Sequence, residues 1–326
     1  MDIDGASILV TGGSGLIGST TIDLLLRECD PGRIVILDNM VRGSTANVAA
    51  ALEDPRVSLI RGDIRDAQVV QSAMRGIDAV IHLAALRITA CAADPRTAMQ
   101  VMCDGSFNVV DAAQAAGVQK IVAASSASIY GMADSFPTRE DHHPYNDRTW
   151  YGASKTMLEG LLRSYKAMHG LPYVALRYFN VYGPRMDIHG KYTEVLIRWM
   201  ERVAAGEPPL ILGDGKQTMD FVYIEDVARS NVLALQSDLG DDVFNVATGT
   251  ETSLIDLAAA LLEAMGASHL EPVYGPERSV NPVPRRLACT KRAEQLLGFK
   301  ASIPLEEGLG RLVAWWQATR ELELQA

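Results

Sequence analysis

Short apolar runs alternate with longer amphipathic stretches through the first half of the chain. The runs at Ser7–Thr11, Ile34–Leu37, Val57–Arg61, Ala79–Leu83, Lys120–Ala124 and Val174–Arg177 are short and rich in β-branched residues, as strands covered on both faces require. Between them Leu16–Glu28, Ala67–Met74, Ala98–Ala116 and Tyr151–His169 carry helical spacing. Repeated strand, helix, strand order implies parallel pairing through right-handed crossovers. The predicted fold class is therefore α/β, a doubly wound parallel sheet of the Rossmann type. After Arg177 Pro and Gly become frequent, with helices expected at Thr193–Ala205, Glu225–Leu235, Leu254–Met265, Lys291–Leu297 and Leu305–Thr319, and a strand at Asp242–Val246. Residues 1–180 plus about 221–250 are expected to form the Rossmann domain. Residues about 181–220 plus 251–326 are expected to form a smaller mixed α/β portion.

Composition narrows the class. The chain has 326 residues, 48% of them hydrophobic and 21% charged, enough for a sizeable core and unlike a disordered chain. A net charge of -10 argues against nucleic acid as the partner, since phosphate backbones need dense Lys and Arg. Cys29, Cys91, Cys103 and Cys289 are scattered without a CxxC pair, so reduced thiols are expected rather than a disulfide or zinc site. The sequence shows no signal-peptide pattern and no uncharged apolar run near the ~18–20 residues of a membrane span, so a cytoplasmic protein with no membrane partner is expected. His142-His143 is read as a solvated pair, with no metal expected, and Trp315-Trp316 as core of a late helix.

The first strand runs into Thr11-Gly12-Gly13-Ser14-Gly15-Leu16-Ile17-Gly18, and a helix follows at once. Glycines 12, 15 and 18 allow a tight turn, close approach to a pyrophosphate and close packing of helix on strand. The helix start offers free N–H groups and the positive end of its dipole. Asp38, at the end of the second strand, suits ribose hydroxyls and repels a 2′-phosphate, favouring NAD; the neighbouring Arg42 leaves NADP open. Asp63-Ile64 is placed to meet the adenine.

Tyr151 and Lys155 stand one helical turn apart in Tyr151-Gly152-Ala153-Ser154-Lys155. A free Tyr titrates near pH ~10, too high for a base at neutral pH. The Lys155 ammonium and a positive nicotinamide ring are expected to lower it. Ser126, in Ala124-Ser125-Ser126-Ala127-Ser128-Ile129-Tyr130-Gly131, sits at the C-terminal end of a buried strand, where doubly wound sheets bind ligands. It can share a substrate hydroxyl with Tyr151.

These motifs together resemble the extended short-chain dehydrogenase/reductase family, also known as the NAD-dependent epimerase/dehydratase family, and within it the UDP-glucose 4-epimerase-like group. The resemblance runs through TGGSGLIGS at 11–19, Asp38, GDI at 62–64, HLAA at 82–85, SSASIYG at 125–131, YGASK at 151–155, RYFNVYGPR at 177–185, FVYIEDVA at 221–228 and FNVATG at 244–249. It implies Ser126, Tyr151 and Lys155 as the catalytic set and NAD as the cofactor. Cofactor contacts are implied for Gly12, Gly15, Leu16, Ile17, Gly18, Asp38, Asn39, Asp63, Ile64, Leu83, Ala84, Ala85, Arg87, Tyr151, Lys155 and Tyr178. A nucleotide-sugar substrate is implied to meet Ser125, Ser126, Tyr178, Asn180, Arg278 and Arg286. The C-terminal portion is then the substrate-binding domain. The helices about Ala98–Ala116 and Tyr151–His169 are the family's dimer surface, implying a homodimer through a four-helix contact.

Related dehydratases carry Asp-Glu directly after the catalytic Ser or Thr, and the decarboxylases carry Glu where Ser128 stands. Here Ala127 and Ser128 occupy the two positions, so plain oxidation and re-reduction at C4 through a transient 4-keto sugar is the favoured chemistry. A dehydrogenase or keto-reductase, and a non-catalytic NAD-binding regulator, are the rival readings. Three departures from the family pattern bear on the substrate: Met102 replaces an Asn, Met219 replaces an Arg that binds the substrate diphosphate, and the Tyr192–Val195 region offers Thr193 and Glu194 in place of a further Asn. Arg278, Arg285 and Arg286 are candidates to compensate. Arg286, or Arg285 if the alignment shifts by one, falls where pocket size is set, and an Arg there suits a hexuronate carboxylate.

Overall fold

The computed structural model describes residues 1–188, 194–277 and 283–325, and side chains as far as residue 322. In the first half, β1 (Ser7–Thr11), α1 (Leu16–Glu28), β2 (Arg33–Asp38), α2 (Thr45–Val48), β3 (Val57–Arg61), α3 (Ala67–Ala73) and β4 (Ala79–His82) follow one another. Next come α4 (Ile88–Ala93), α5 (Pro95–Met99), α6 (Ser106–Ala115), β5 (Lys120–Ser126), α7 (Trp150–His169) and β6 (Tyr173–Tyr178). The remainder holds β7 (Asn180–Tyr182), α8 (Val195–Ala204), β8 (Leu210–Leu212), β9 (Thr218–Met219), β10 (Phe221–Tyr223), α9 (Ile224–Gln236) and β11 (Asp241–Val246), then β12 (Thr252–Ser253), α10 (Leu254–Ala264), β13 (Val273–Gly275) and α11 (Leu305–Gln325).

Seven strands form one parallel sheet in the order β11-β6-β5-β4-β1-β2-β3. β1 lies between β2 and β4, with Val10 opposite both Ile36 and Ile81. The strand order therefore reverses beside β1, and a crevice opens there at the carboxyl ends of the strands. β4, β5 and β6 are buried at every residue, and their polar members His82, Lys120, Ser125, Ser126 and Arg177 are met by hydrogen bonds within the protein. Ile22, Leu25, Val227 and Leu235 of α1 and α9 cover one face, and Val70, Val109, Leu158 and Leu162 of α3, α6 and α7 cover the other. Each such fully buried aliphatic side chain contributes about 1.5–3 kcal/mol.

A third core gathers Tyr182, Trp199, Met200, Tyr223, Leu257, Leu261, Leu309 and Trp316 from α8, α10, α11 and short strands. Trp316 is buried there, whereas Trp315 is only partly so. The short pairs β7–β10, β8–β13 and β9–β12 build this part around segments far apart in the chain. The β7–β10 pair had no sequence forecast. Its strands are three residues each, too short to show a period.

Three helices differ from expectation. The stretch expected at Ala98–Ala116 starts earlier, at Pro95, because the Asp94 side chain accepts from Thr97 N at 3.1 Å and Pro95 fits the first turn. It then widens into a π-helical segment over Gln100–Gly105 before α6. The helix expected over Lys291–Leu297 is likewise a π-type turn at Ala293–Leu297, closed by Gly298. The expected start at Thr193 lies outside the described residues, and α8 begins at Val195. No helix among the described residues is long and apolar enough to cross a membrane. All four cysteines are free.

Candidate active site

A cleft of about 1390 Å³ opens at the carboxyl ends of the strands, between the large sheet and the C-terminal part. Among the described residues nine Lys and Arg side chains line it against five Asp and Glu, the reverse of the chain's overall balance. Such a local field suits a ligand carrying several phosphate charges.

The glycine turn forms one wall. Gly12 has φ +69°, and a Cβ there would stand 2.8 Å from Ala84 N. A Cβ on Gly18 would stand 2.5 Å from Gly12 O and Gly13 Cα, so α1 rests directly on the turn. Gly15 differs: a Cβ there would meet only Gly12 O, at 3.3 Å. It precedes α1 with extended backbone and no side-chain cap, leaving the first N–H groups of the helix for a ligand. These residues fit a dinucleotide diphosphate.

Asp38 is 7% exposed at the end of β2. Its Oδ2 accepts from Ser14 N at 3.0 Å and its Oδ1 from Met40 N at 2.8 Å, which braces the carboxylate at the cleft wall with lone pairs left for ribose hydroxyls. Arg42, which left NADP open, is drawn across the cleft to Asp187 at 3.6 Å. Asp63 does not line the cleft. Arg65 and Asn39 take up its carboxylate, at 2.9 Å each, and the Arg65 hydrogen bond foremost holds it down to about 2. Its neighbours Ile64 and Asn39 do line the cleft, as do Leu16, Ile17, Leu83, Ala84, Ala85 and Arg87.

Ser126 ends β5, and its Oγ accepts from Ser128 N at 3.1 Å. Tyr151 and Lys155 lie in the first turns of α7, which Thr149 caps by accepting from Gly152 N at 3.0 Å. Lys155 Nζ donates to Ala124 O at 2.7 Å and stands 5.8 Å from the Tyr151 ring centroid. Burial pushes the Lys155 ammonium down to about 8. Burial also pushes the Tyr151 phenol up, opposed by a hydrogen bond with Ser126 and by the Arg286 and Arg42 guanidiniums. The expected lowering by Lys155 is thus not the leading effect, because Nζ turns to the Ala124 carbonyl and desolvation dominates.

Tyr178 lines the cleft, and its hydroxyl donates to Asn231 Oδ1 at 2.7 Å. Ser125 donates to Glu159 at 2.5 Å, and Glu159 also takes two hydrogen bonds from Arg177, at 2.8 and 2.7 Å. Arg177 in turn donates to the Tyr130 hydroxyl, and Tyr130 to Asn245 Oδ1. This buried chain supports the floor under Ser126. His82, quoted above only within a motif, is buried between Thr11 Oγ1 at 2.7 Å and Ser106 Oγ at 3.0 Å, and burial drives it down to about 3. Met102, in the place of the family's Asn, is buried with its Sδ 3.1 Å from Leu86 N, a weak acceptor for that N–H.

On the opposite wall, Asn180 donates from Nδ2 to Asp220 O at 3.0 Å. Asp220 is itself buried and accepts from Thr248 N and Gly249 N at 2.8 Å. The choice between the two late arginines resolves. Arg285 faces outward, paired with Glu251 at 2.7 Å, whereas Arg286 lines the cleft within electrostatic reach of Tyr151. Arg278, Tyr192 and Thr193 lie outside the described residues. Asp187, Arg198, Trp199, Lys216 and Gln217 line this wall and were missed by the sequence reading. The amphipathic pattern of α8 was the one signal for Arg198 and Trp199. His142 corrects the expectation of a solvated pair. Its side chain is 4% exposed, and it stands 3.0 Å from Asp134, with His143 also beside that carboxylate.

Comparison with known proteins agrees with this geometry. The model of the NAD-dependent epimerase/dehydratase family matches residues 8–247. The UDP-glucose 4-epimerase of Mycolicibacterium smegmatis is 36% identical over 312 residues, spanning 95% of this chain and 98% of that protein. A solved UDP-N-acetylglucosamine 4-epimerase from Methanobrevibacter ruminantium M1, in complex with UDP-N-acetylmuramic acid, superposes with a TM-score of 0.91 at 31% identity, covering 97% of this chain and 99% of that one. The UDP-glucuronic acid 4-epimerase of Bacillus cereus, solved with UDP-glucuronic acid and NAD, gives 0.85 at 27% identity, covering 96% and 99%. Nucleotide-sugar dehydratases and decarboxylases match as well. A family match over most of the chain, a doubly wound sheet and a glycine turn shaped for a dinucleotide converge: this chain belongs to the NAD-dependent epimerase/dehydratase family.

Proposed function

We propose that the protein is a nucleotide-sugar 4-epimerase, acting on a UDP-hexose or UDP-hexuronate through a transient 4-keto sugar. The observation that carries this reading is the meeting of Ser126, Tyr151 and Lys155 at one end of the cleft, with Ala127 and Ser128 following Ser126 where an acid/base pair for elimination would stand. NAD, when bound, supplies reversible hydride acceptance at the sugar C4. Tyr151 takes the C4 hydroxyl proton and later returns it. Ser126 donates to the phenolate and so favours its formation. Lys155 holds positive charge beneath the same site, and the buried surroundings exclude water that would trap the ketone.

The place of Arg286 in the cleft wall, within electrostatic reach of Tyr151, supports a carboxylate-bearing sugar, because a guanidinium binds a carboxylate with charge-assisted, bidentate hydrogen bonds. Incubation with UDP-glucose and with UDP-glucuronate, followed by chromatography of the sugars, tests both points. The expected result is the C4 epimer, formed faster from the uronate, with NAD retained through purification. Loss of water or carbon dioxide from the sugar would refute the epimerase reading, and preference for the neutral sugar would refute the uronate.

A homodimer through α6 and α7 is part of the proposal. Phe107, Trp150, Met157 and Met168 are exposed on these two helices, more apolar surface than a solvated helix pair needs. A monomeric mass by light scattering would refute it.

A further inference from the structure

Two charged side chains, distant in sequence, meet in space. Arg87 is one of the cofactor contacts that the resemblance implies, and Glu194 lies in the region where the family pattern has a further Asn. Across the cleft they form an ion pair at 3.0 Å, with the Arg87 side chain only 14% exposed. A second pair, Arg42 with Asp187 at 3.6 Å, bridges the same two walls. The two guanidiniums lie within electrostatic reach of one another, and both carboxylates act on Arg42. All four side chains line the same cleft as the glycine turn.

We infer that these two ion pairs form a clasp joining the walls across the bound dinucleotide, with Glu194 and Asp187 as positioning residues that slow NAD release. The inference rests on the cleft holding NAD as described above. Each carboxylate offsets the repulsion between the two arginines and pins the far wall to the wall that carries the glycine turn. The Arg87 guanidinium keeps its positive charge while it holds Glu194, so the same side chain attracts a phosphate. Lys, with one compact ammonium, divides its charge less well between two partners. Release of the dinucleotide then requires both pairs to open together.

The test is the rate at which NAD leaves the loaded protein, followed by chromatography of retained NAD after dilution into excess scavenging enzyme. Glu194→Gln is expected to speed release about fivefold at low salt, the order of one partly exposed ion pair, and Asp187→Asn less. Added salt should speed release from the parent chain and bring it toward the Glu194→Gln rate. Glu251→Gln, which removes an exposed pair outside the cleft, is the control and should change nothing. If the carboxylates merely shield the arginines from phosphate, Glu194→Gln slows release instead, and the clasp is wrong. NAD bound but released at the parent rate by both variants also overturns it. A chain that never binds NAD overturns the cofactor assignment as well.

Discussion

The two walls of the cleft are built by different means. The wall beside β1 is backbone: a turn with no room for side chains at Gly12 and Gly18, a bare helix start, and a carboxylate braced by two N–H groups. The facing wall is side chains: Arg198 and Trp199 from α8, Lys216 from a loop, Asn180 from β7 and Arg286 from the stretch between β13 and α11. A backbone wall binds the invariant part of a ligand and tolerates little change. A side-chain wall can be altered one residue at a time, as Met219 and Glu194 show. Changes on the first wall should therefore register in folding and cofactor content, and changes on the second in substrate preference, apart from Asp187 and Glu194, whose ion pairs to Arg42 and Arg87 are tied to NAD release.

The largest effect is expected at the seam between the walls. Tyr151→Phe should lower kcat by about 10²–10⁴ while NAD content and the melting temperature stay as in the parent chain. Retained turnover would break the assignment of Tyr151 as base. Next comes His82, buried behind the backbone wall between Thr11 and Ser106. Its folded-state pKa of about 3 lies below the ordinary 6.5, so the unfolded chain binds the proton first. Stability contributed by keeping it neutral is complete above pH 6.5 and is lost as pH falls toward 3. By pH 4 the loss is about 3 kcal/mol. Denaturant melts at pH 7 and pH 4 should show a smaller fall in His82→Gln than in the parent chain, and an equal fall would refute this origin.

Gly18→Ala is expected to cost about 1–3 kcal/mol, since the added methyl would press on backbone atoms rather than on a side chain that can move. A drop in melting temperature together with lost NAD would sharpen the contrast between the walls. The smallest effect belongs to the side-chain wall. Arg286→Met should lower kcat/KM for UDP-glucuronate about tenfold relative to UDP-glucose, the size of one charge-assisted hydrogen bond. Arg285→Met should leave that ratio alone because Arg285 pairs outward with Glu251. Equal effects of the two substitutions would erase the distinction drawn between them.

Legibility followed the same division. The strands at the centre of the large sheet were foreseeable because two-sided burial leaves little freedom in composition, and the edge strands β3 and β11 because their Val, Leu, Ile and Phe residues still stand out between turn residues. The short pairs of the C-terminal part were not, since two or three residues carry no period and their partners lie far along the chain. Asp63 shows the limit of motif reading: its position matched, but Arg65 and Asn39 lie close enough to claim the carboxylate first.

The amino-acid sequence by itself determined the fold class and the glycine turn, and it singled out Ser126, Tyr151 and Lys155 as candidates, because each of these readings depends on a pattern within one segment. Tertiary structure alone decided which of Arg285 and Arg286 faces the cleft, where the Lys155 ammonium turns, and that Glu194 meets Arg87. Those outcomes depend on distances between segments far apart in the chain. Such distances arise only when cores built on separate stretches pack together.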